Sequence, residues 1–325
     1  MSAFRNKFMY PAKINWFPGH MAVARRQMLA QLDAVDVLIE VRDARIPWSS
    51  ANPILEETFG VSKPRLIVFN KSDLANANMQ KRIEEQCEKR KTQCLFTSVT
   101  KGRKIQSILQ WCNAHSGAQF KKTAGTMVMV VGIPNVGKSS IINEFRRLSS
   151  SQKLSKGKKR AMVGPTPGVT VRNDIIKVND KPAIYVVDTP GVMLPNIPSA
   201  ETGLTLALTG AIKDTVVGTE LIADYMLFKL NQMRNTRYVD ALGLKEPTDD
   251  IQELFELVYK KCGALGKEPD VQNKLAAEFL LQEFRRGAFG QFTLDSILSP
   301  VAPVVAATPA PAQAPSEDSE IQKGS

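Results

Sequence analysis

Apolar positions along this chain fall into two textures. Up to about residue 198, short apolar runs alternate with stretches of helical spacing. Val37–Val41, Arg65–Phe69, Cys94–Phe96, Met127–Val131, 174–178 and 183–187 read as strands. Between them, Met21, Val23, Met28, Leu29, Leu32 and Val35 form a helical stripe over 20–35, and further helices are predicted over 74–91 and 104–116. Buried strands alternating with amphipathic helices predict an α/β fold with a doubly wound, mostly parallel sheet. From Ser199 the strand-like runs stop. Helical patterns at 200–213, 219–233, 250–264 and 270–286, separated by Gly or Pro, predict a smaller all-α domain. Past Ser299 the chain is Pro/Ala-rich and ends near Ser-Glu-Asp-Ser-Glu, a composition too poor in apolar residues to fold. The expected organisation is a basic segment over 1–13, an α/β domain over 14–198, a helical domain over 199–298 and a disordered tail over 299–325.

Charge changes this picture more than composition does. Against 32 acidic residues stand 43 Lys and Arg, a net charge of +11, which favours a polyanionic partner, nucleic acid before an anionic membrane. From Phe145 to Asn173 no acidic residue occurs, while Arg146, Arg147, Lys153, Lys156, Lys158, Lys159, Arg160 and Arg172 do. This run is either a solvated loop or a phosphate-contacting one. Its lack of interleaved aromatics points to the backbone of folded RNA, not to single-strand stacking. Met1–Leu32 is likewise basic and free of acid, compatible with an import signal or with a plain basic start to a domain. Four cysteines without C-x-x-C pairing and only two histidines argue against a zinc site and predict reduced thiols in an intracellular compartment. No apolar run approaches the 18 residues a transmembrane helix needs.

The chemistry concentrates in three stretches. Gly132-x-x-x-x-Gly137-Lys138-Ser139 follows an apolar strand and opens a helix stripe of Ile141, Ile142 and Phe145, the context of a phosphate-binding loop. Asn135, Val136, Gly137, Lys138, Ser139 and Ser140 are expected to surround the phosphates: backbone N–H groups and a helix N-terminus face the anion, Lys138 neutralises the β/γ oxygens, and the Ser139 hydroxyl ligates Mg²⁺. Asn70-Lys71-Ser72-Asp73 leaves a second strand. A carboxylate at Asp73 accepts from N1–H and the exocyclic amino group of guanine, which adenine does not offer, so the expected ligand is GTP or GDP. Ser98 lies in the short turn whose backbone N–H would meet guanine O6. Asp188-Thr-Pro-Gly191 supplies the far end, Asp188 to Mg²⁺ through water and the Gly191 N–H to the γ-phosphate. Thr170, with Thr166 as the alternative, is the candidate switch hydroxyl for Mg²⁺. The base-reading motif precedes the phosphate loop, the reverse of ordinary GTPases, so a circular permutation is implied. Val192 occupies the position of the usual water-orienting Gln. Turnover is then very slow, or another group or partner supplies that function. His20 either caps the helix it precedes or swings in as that group.

Asn15-Trp-Phe-Pro-Gly-His-Met21, Asp43-Ala-Arg-Ile-Pro47, Asn70-Lys-Ser-Asp73, Gly132-Ile-Pro-Asn-Val-Gly-Lys-Ser139, Pro167-Gly-Val-Thr170 and Asp188-Thr-Pro-Gly191 occur in that order. Over about residues 14–298 the chain resembles the circularly permuted GTPases of the YlqF/RbgA group, which act in assembly of the large ribosomal subunit. Glu201-Thr-Gly-Leu, Ala223-Asp-Tyr and Phe284-Arg-Arg-Gly287 are similar to the mitochondrial branch. The resemblance implies that an apolar residue at 192 is normal, that His20 assists hydrolysis and that Asn135 helps hold a K⁺ ion. It further implies an rRNA partner on the large mitochondrial subunit and a peripheral place on the matrix side of the inner membrane. Two alternatives stand beside this reading: a GTP-gated ribosome-binding regulator with negligible turnover, and a bacterial or cytosolic assembly GTPase.

Overall fold

The computed structural model describes residues 4–10, 34–52, 63–115, 125–150, 175–180, 183–189 and 197–297. Its described strands form one six-stranded sheet: β1 (Val37–Asp43), β2 (Arg65–Asn70), β3 (Gln93–Phe96), β4 (Thr126–Val131), β5 (Ile175–Asp180) and β6 (Ala183–Asp188). The order is β3-β2-β1-β4-β6-β5, with every pair parallel except β5 against β6. The sheet thus grows outward in both directions from the β1/β4 pair. That reversal of winding opens a crevice at the carboxyl ends of the strands, where α/β sheets bind ligands.

Side chains alternate between the two faces, as a pleated strand requires. Ile39, Val41, Val68 and Val130 join Ile108 and Cys112 of α2 (Ile105–Ala114) and Ile142 and Phe145 of α3 (Lys138–Ser150) on one side. Ile67, Phe69 and Phe96 meet Ile83 and Cys87 of α1 (Gln80–Lys89) on the other. The predicted strands are observed, each with one or both ends extended by one or two residues; residue 174, where the strand over 174–178 was expected to start, lies outside the described residues. The helix expected over 74–91 begins at Gln80, after a single tight turn at Ala77–Met79. The helix expected over 20–35 lies mostly outside the described residues. Central β1 also buries Glu40 and Arg42, two residues apart on one face and paired at 2.7 Å, so that neither charge is left unmatched in the core.

The later part is helical: α4 (Ala200–Leu208), α5 (Asp214–Val217), α6 (Thr219–Gln232), α7 (Arg237–Leu242), α8 (Ile251–Val258) and α9 (Pro269–Arg286). Ser199 and Asp250 cap α4 and α8 by accepting from Thr202 N (3.1 Å) and Gln252 N (2.8 Å). The run expected over 200–213 stops at Leu208 because Gly210 turns left-handed (φ +83°), and the run over 250–264 stops at Val258. Six-residue α7 is too short to show periodicity and was not predicted.

These helices share one apolar cluster with the sheet, which runs from Ile39 and Val130 to Leu206, Leu227 and Phe284. Two segments outside the helices reinforce that junction. After α9, residues 291–297 return to the sheet: Phe292 N donates to Leu74 O (3.0 Å), Leu294 N to Arg45 O (2.8 Å), and the Asp295 carboxylate accepts from Trp48 N and Ser49 N (2.7 and 2.8 Å). At the start of the chain, Arg5 pairs with Asp224 at 2.7 Å and Phe8, 3% exposed, packs edge-on against Tyr225. Arg5 and Phe8, inside the basic segment expected over 1–13, therefore contact α6.

Candidate functional site

The loop between β4 and α3 carries the phosphate-binding pattern, and its backbone explains the residue types. Gly132 (φ +147°) runs against the end of β1, where a Cβ would stand 2.3 Å from Val41 O. Asn135 (φ +57°) and Gly137 (φ +100°) take left-handed conformations that turn successive N–H groups inward. Helix α3 begins at Lys138, so Ser139 and Ser140 occupy its first turn, where the unpaired N–H groups and the helix dipole favour an anion. Lys138 is 6% exposed and bends back to donate to Ile133 O (2.9 Å), which keeps its ammonium at the loop.

Beside this loop lies the base-reading motif. Asn70 ends β2, and its Nδ2 donates to Val136 O (2.9 Å); Lys71 Nζ donates to Asn135 O (2.7 Å). A Cβ on Gly137 would sit 2.2 Å from Asn70 Nδ2, so glycine is what lets the two motifs touch. Some sixty residues separate them in sequence, yet they form one wall at the β1/β4 crevice. Ser72 N donates to Thr97 O (3.0 Å), which sets Asp73 next to the turn after β3. Asp73 Oδ2 accepts from Thr100 Oγ1 (3.3 Å), whereas Oδ1 is buried without a hydrogen-bond partner. A buried, unpaired carboxylate oxygen is costly unless a ligand donor completes it, and the N–H groups of guanine fit. Ser98, fully buried in that turn, pairs through Oγ with Thr100 Oγ1 (3.1 Å) and accepts from Lys101 N (3.2 Å).

Behind the motif sits a group the sequence reading gave no role. Asp43, at the end of β1, accepts from Lys71 Nζ (2.9 Å) and from Arg45 Nε and Nη2 (3.0 and 2.7 Å). Burial would push its carboxyl up, but Arg45 and Lys71 together hold it well below the ordinary carboxylate range. Burial in turn pulls the Lys71 ammonium below its usual value, partly offset by Asp43. The only hint in sequence was the Asp43-Ala-Arg-Ile-Pro47 motif among those that carry the family resemblance. Arg45 Nη2 also reaches Thr209 O (3.4 Å) and Asn135 Nδ2 donates to Gly210 O (2.8 Å), so the end of α4 abuts the site.

The third motif is described in part. The β4/β6 register sets the Asp188 backbone beside Val130, and Thr189 Oγ1 donates to Val130 O (2.7 Å), which anchors the motif to the strand feeding the phosphate loop. The Asp188 side chain, Gly191, Thr170, its alternative Thr166, His20 and residues 151–173 of the basic run lie outside the described residues. For Mg²⁺, the hydroxyl of Ser139 in the first turn of α3 and a carboxylate at the adjoining strand end are hard oxygen donors of the kind that ion takes.

Residues 127–260 match the family model described as 50S ribosome-binding GTPase. The chain is 40% identical over 299 residues to mitochondrial ribosome-associated GTPase 1 of Xenopus tropicalis, covering 86% of this chain and 94% of that protein. It is 38% identical over 315 residues to the Bos taurus protein of the same name (90% and 92% covered). To ribosome biogenesis GTPase A of Bacillus cereus it is 35% identical over 290 residues (87% and 94% covered). Its fold matches the crystal structure of GNP-bound YlqF from T. maritima with a TM-score of 0.55 at 23% identity, over 85% of this chain and 99% of that one. With the motif order, the sheet topology and near full-length relatives in agreement, this chain belongs to the YlqF/RbgA family of circularly permuted GTPases.

Proposed function

We propose that this protein binds GTP in the β1/β4 crevice, hydrolyses it with Mg²⁺, and serves as an assembly factor for the large subunit of the mitochondrial ribosome. The observation that carries the reading is the direct contact of the two loops, Asn70 to Val136 O and Lys71 to Asn135 O, which lets one nucleotide meet both. Asp73 and the Ser98 turn read the base. The residues from Asn135 to Ser140 cradle the phosphates, and Lys138 offsets charge that develops on the β/γ oxygens during transfer. Ser139, Asp188 and Thr170 would hold the magnesium ion, which supplies charge neutralisation at the β- and γ-oxygens. His20 orients the attacking water in place of the apolar Val192. The Asn135 side chain, fixed by Gly210 O, is the candidate partner for a potassium ion.

Relatives named for mitochondria and for ribosome biogenesis support the mitochondrial ribosome as the partner, and a net charge of +11 supports contact with rRNA. On this reading the helical part over 199–298 and the basic run of 146–172 face the RNA, at the matrix side of the inner membrane. Attachment there would be peripheral on this reading; no helix among the described residues is long and apolar enough to cross a membrane. The test is single-turnover GTP hydrolysis with and without purified large mitochondrial subunits, in potassium and in sodium buffer. Subunits should accelerate cleavage and His20→Ala should remove that gain. A rate indifferent to both sinks the proposal in favour of a GTP-gated binder.

A further inference from the structure

At the C-terminal end of α4 the local turn satisfies some carbonyls, with Gly210 N donating to Ala207 O (2.9 Å) and Ala211 N to Leu206 O (2.8 Å). Long-range side chains converge on the carbonyls of residues 207–210. Arg285 of α9 donates to Ala207 O and Leu208 O (2.8 and 3.0 Å) and pairs with Asp214 at 2.6 Å. Arg45 reaches Thr209 O, and Asn135 of the phosphate loop takes Gly210 O at 2.8 Å. A helix C-terminus is a partial negative charge and attracts cations and donors. Here two of the donors come from nucleotide-site loops.

Arg45 is the informative one. Its guanidinium grips both oxygens of Asp43, and the oxygen it holds at 2.7 Å through Nη2 is the one that Lys71 Nζ meets at 2.9 Å. Lys71 stands on a left-handed backbone (φ +60°), and its flexible four-carbon stem has no intrinsic reason to point at the phosphate loop. An anion fixed in place supplies that reason. We propose that Arg45 is a positioning residue for nucleotide binding: it locks Asp43, which aims Lys71 at the phosphate loop, and it ties that grip to the α4 carbonyls, so that the seating of the helical part governs how long the nucleotide stays bound. This rests on the reading of the site as a guanine-nucleotide pocket.

The test is the dissociation rate of fluorescently labelled GDP from full-length protein, with folding checked by thermal melts. Arg45→Lys keeps a cation beside Asp43 but cannot span both oxygens and reach Thr209. Release should quicken about tenfold, the scale of one charge-assisted hydrogen bond. Gly210→Ala forces a side chain onto a φ of +83° and displaces the carbonyl fan while leaving every nucleotide-loop side chain intact; it should quicken release in the same direction. In a Lys71→Gln background the Arg45→Lys effect should vanish, because its route to the nucleotide is already cut. A residue that merely stabilises the fold would give additive effects. Additivity, or a folded Gly210→Ala protein with wild-type release, overturns the proposal. Wild-type protein that fails to retain GDP at all overturns the pocket itself.

Discussion

The contact between Gly137 and Asn70 admits a quantitative test. Substituting Gly137→Ala places a Cβ 2.2 Å from Asn70 Nδ2, where an ordinary contact needs about 3.5 Å, so something must move by more than ~1 Å. Overpacking of that kind costs about 1–3 kcal/mol. The backbone at φ +100° adds roughly 1–3 kcal/mol for any residue with a side chain. Asn70→Ala removes the donor to Val136 O, also about 1–3 kcal/mol when the carbonyl is left buried and unpaired. In the double variant the clash has no partner and only backbone strain and the lost hydrogen bond remain. The four proteins should therefore show a favourable coupling of about 1–3 kcal/mol, roughly 5- to 150-fold in GDP affinity, measured by fluorescence titration with labelled GDP. Additivity within about 0.5 kcal/mol would mean that the base-reading and phosphate loops are not in contact, and the shared-nucleotide argument would fail with it.

Three further outcomes are expected. Asp73→Asn exchanges an acceptor for a donor; GDP affinity should fall by about two to four decades, for two charge-assisted hydrogen bonds, while xanthosine diphosphate gains, and competition titrations with unchanged preference would place base recognition elsewhere. Burial would raise the Asp43 carboxyl, but Arg45 and Lys71 depress it, so its stabilisation is fully present above the unfolded carboxylate value near ~4 and is lost progressively as pH falls below that value. Urea midpoints between pH 5 and pH 3 should fall more steeply for wild type than for the paired Asp43→Asn, Arg45→Met protein, and parallel slopes would contradict this. Cys112 is fully buried on α2 and burial pushes its thiol up to about 12, so alkylation at pH 8 followed by peptide mapping should find it unlabelled until urea opens the core.

The nucleotide chemistry was legible early because it is local. Gly132, Gly137, Lys138 and Ser139 announce a phosphate loop through the backbone angles and charges that a few consecutive residues supply, and the guanine expected at Asn70 through Asp73 is read in the same way. Strand boundaries followed from apolar runs, and the permuted motif order is a fact of the chain. Less could be read where a side chain meets backbone. The partners of Arg45 and Asn135 are the carbonyls of Thr209 and Gly210, and every residue type has a carbonyl, so nothing in the letters at 209 and 210 betrays the contact. The same holds for residues 291–297, which bind Leu74 and Arg45 largely through their main chain.

Sequence by itself determined the fold class, the guanine specificity expected of Asp73 and the identity of the phosphate loop, since each rests on residue types at short spacing. Only the tertiary structure decided that β1 and β4 meet to bring Asn70 against Gly137. It also decided that Asp43 braces Lys71, that the end of α4 abuts the pocket, and that Phe8 packs against the helices instead of hanging free. The reason is range: those contacts join residues from 28 to more than 200 positions apart, and their geometry exists only once the sheet and helices have closed on a common core.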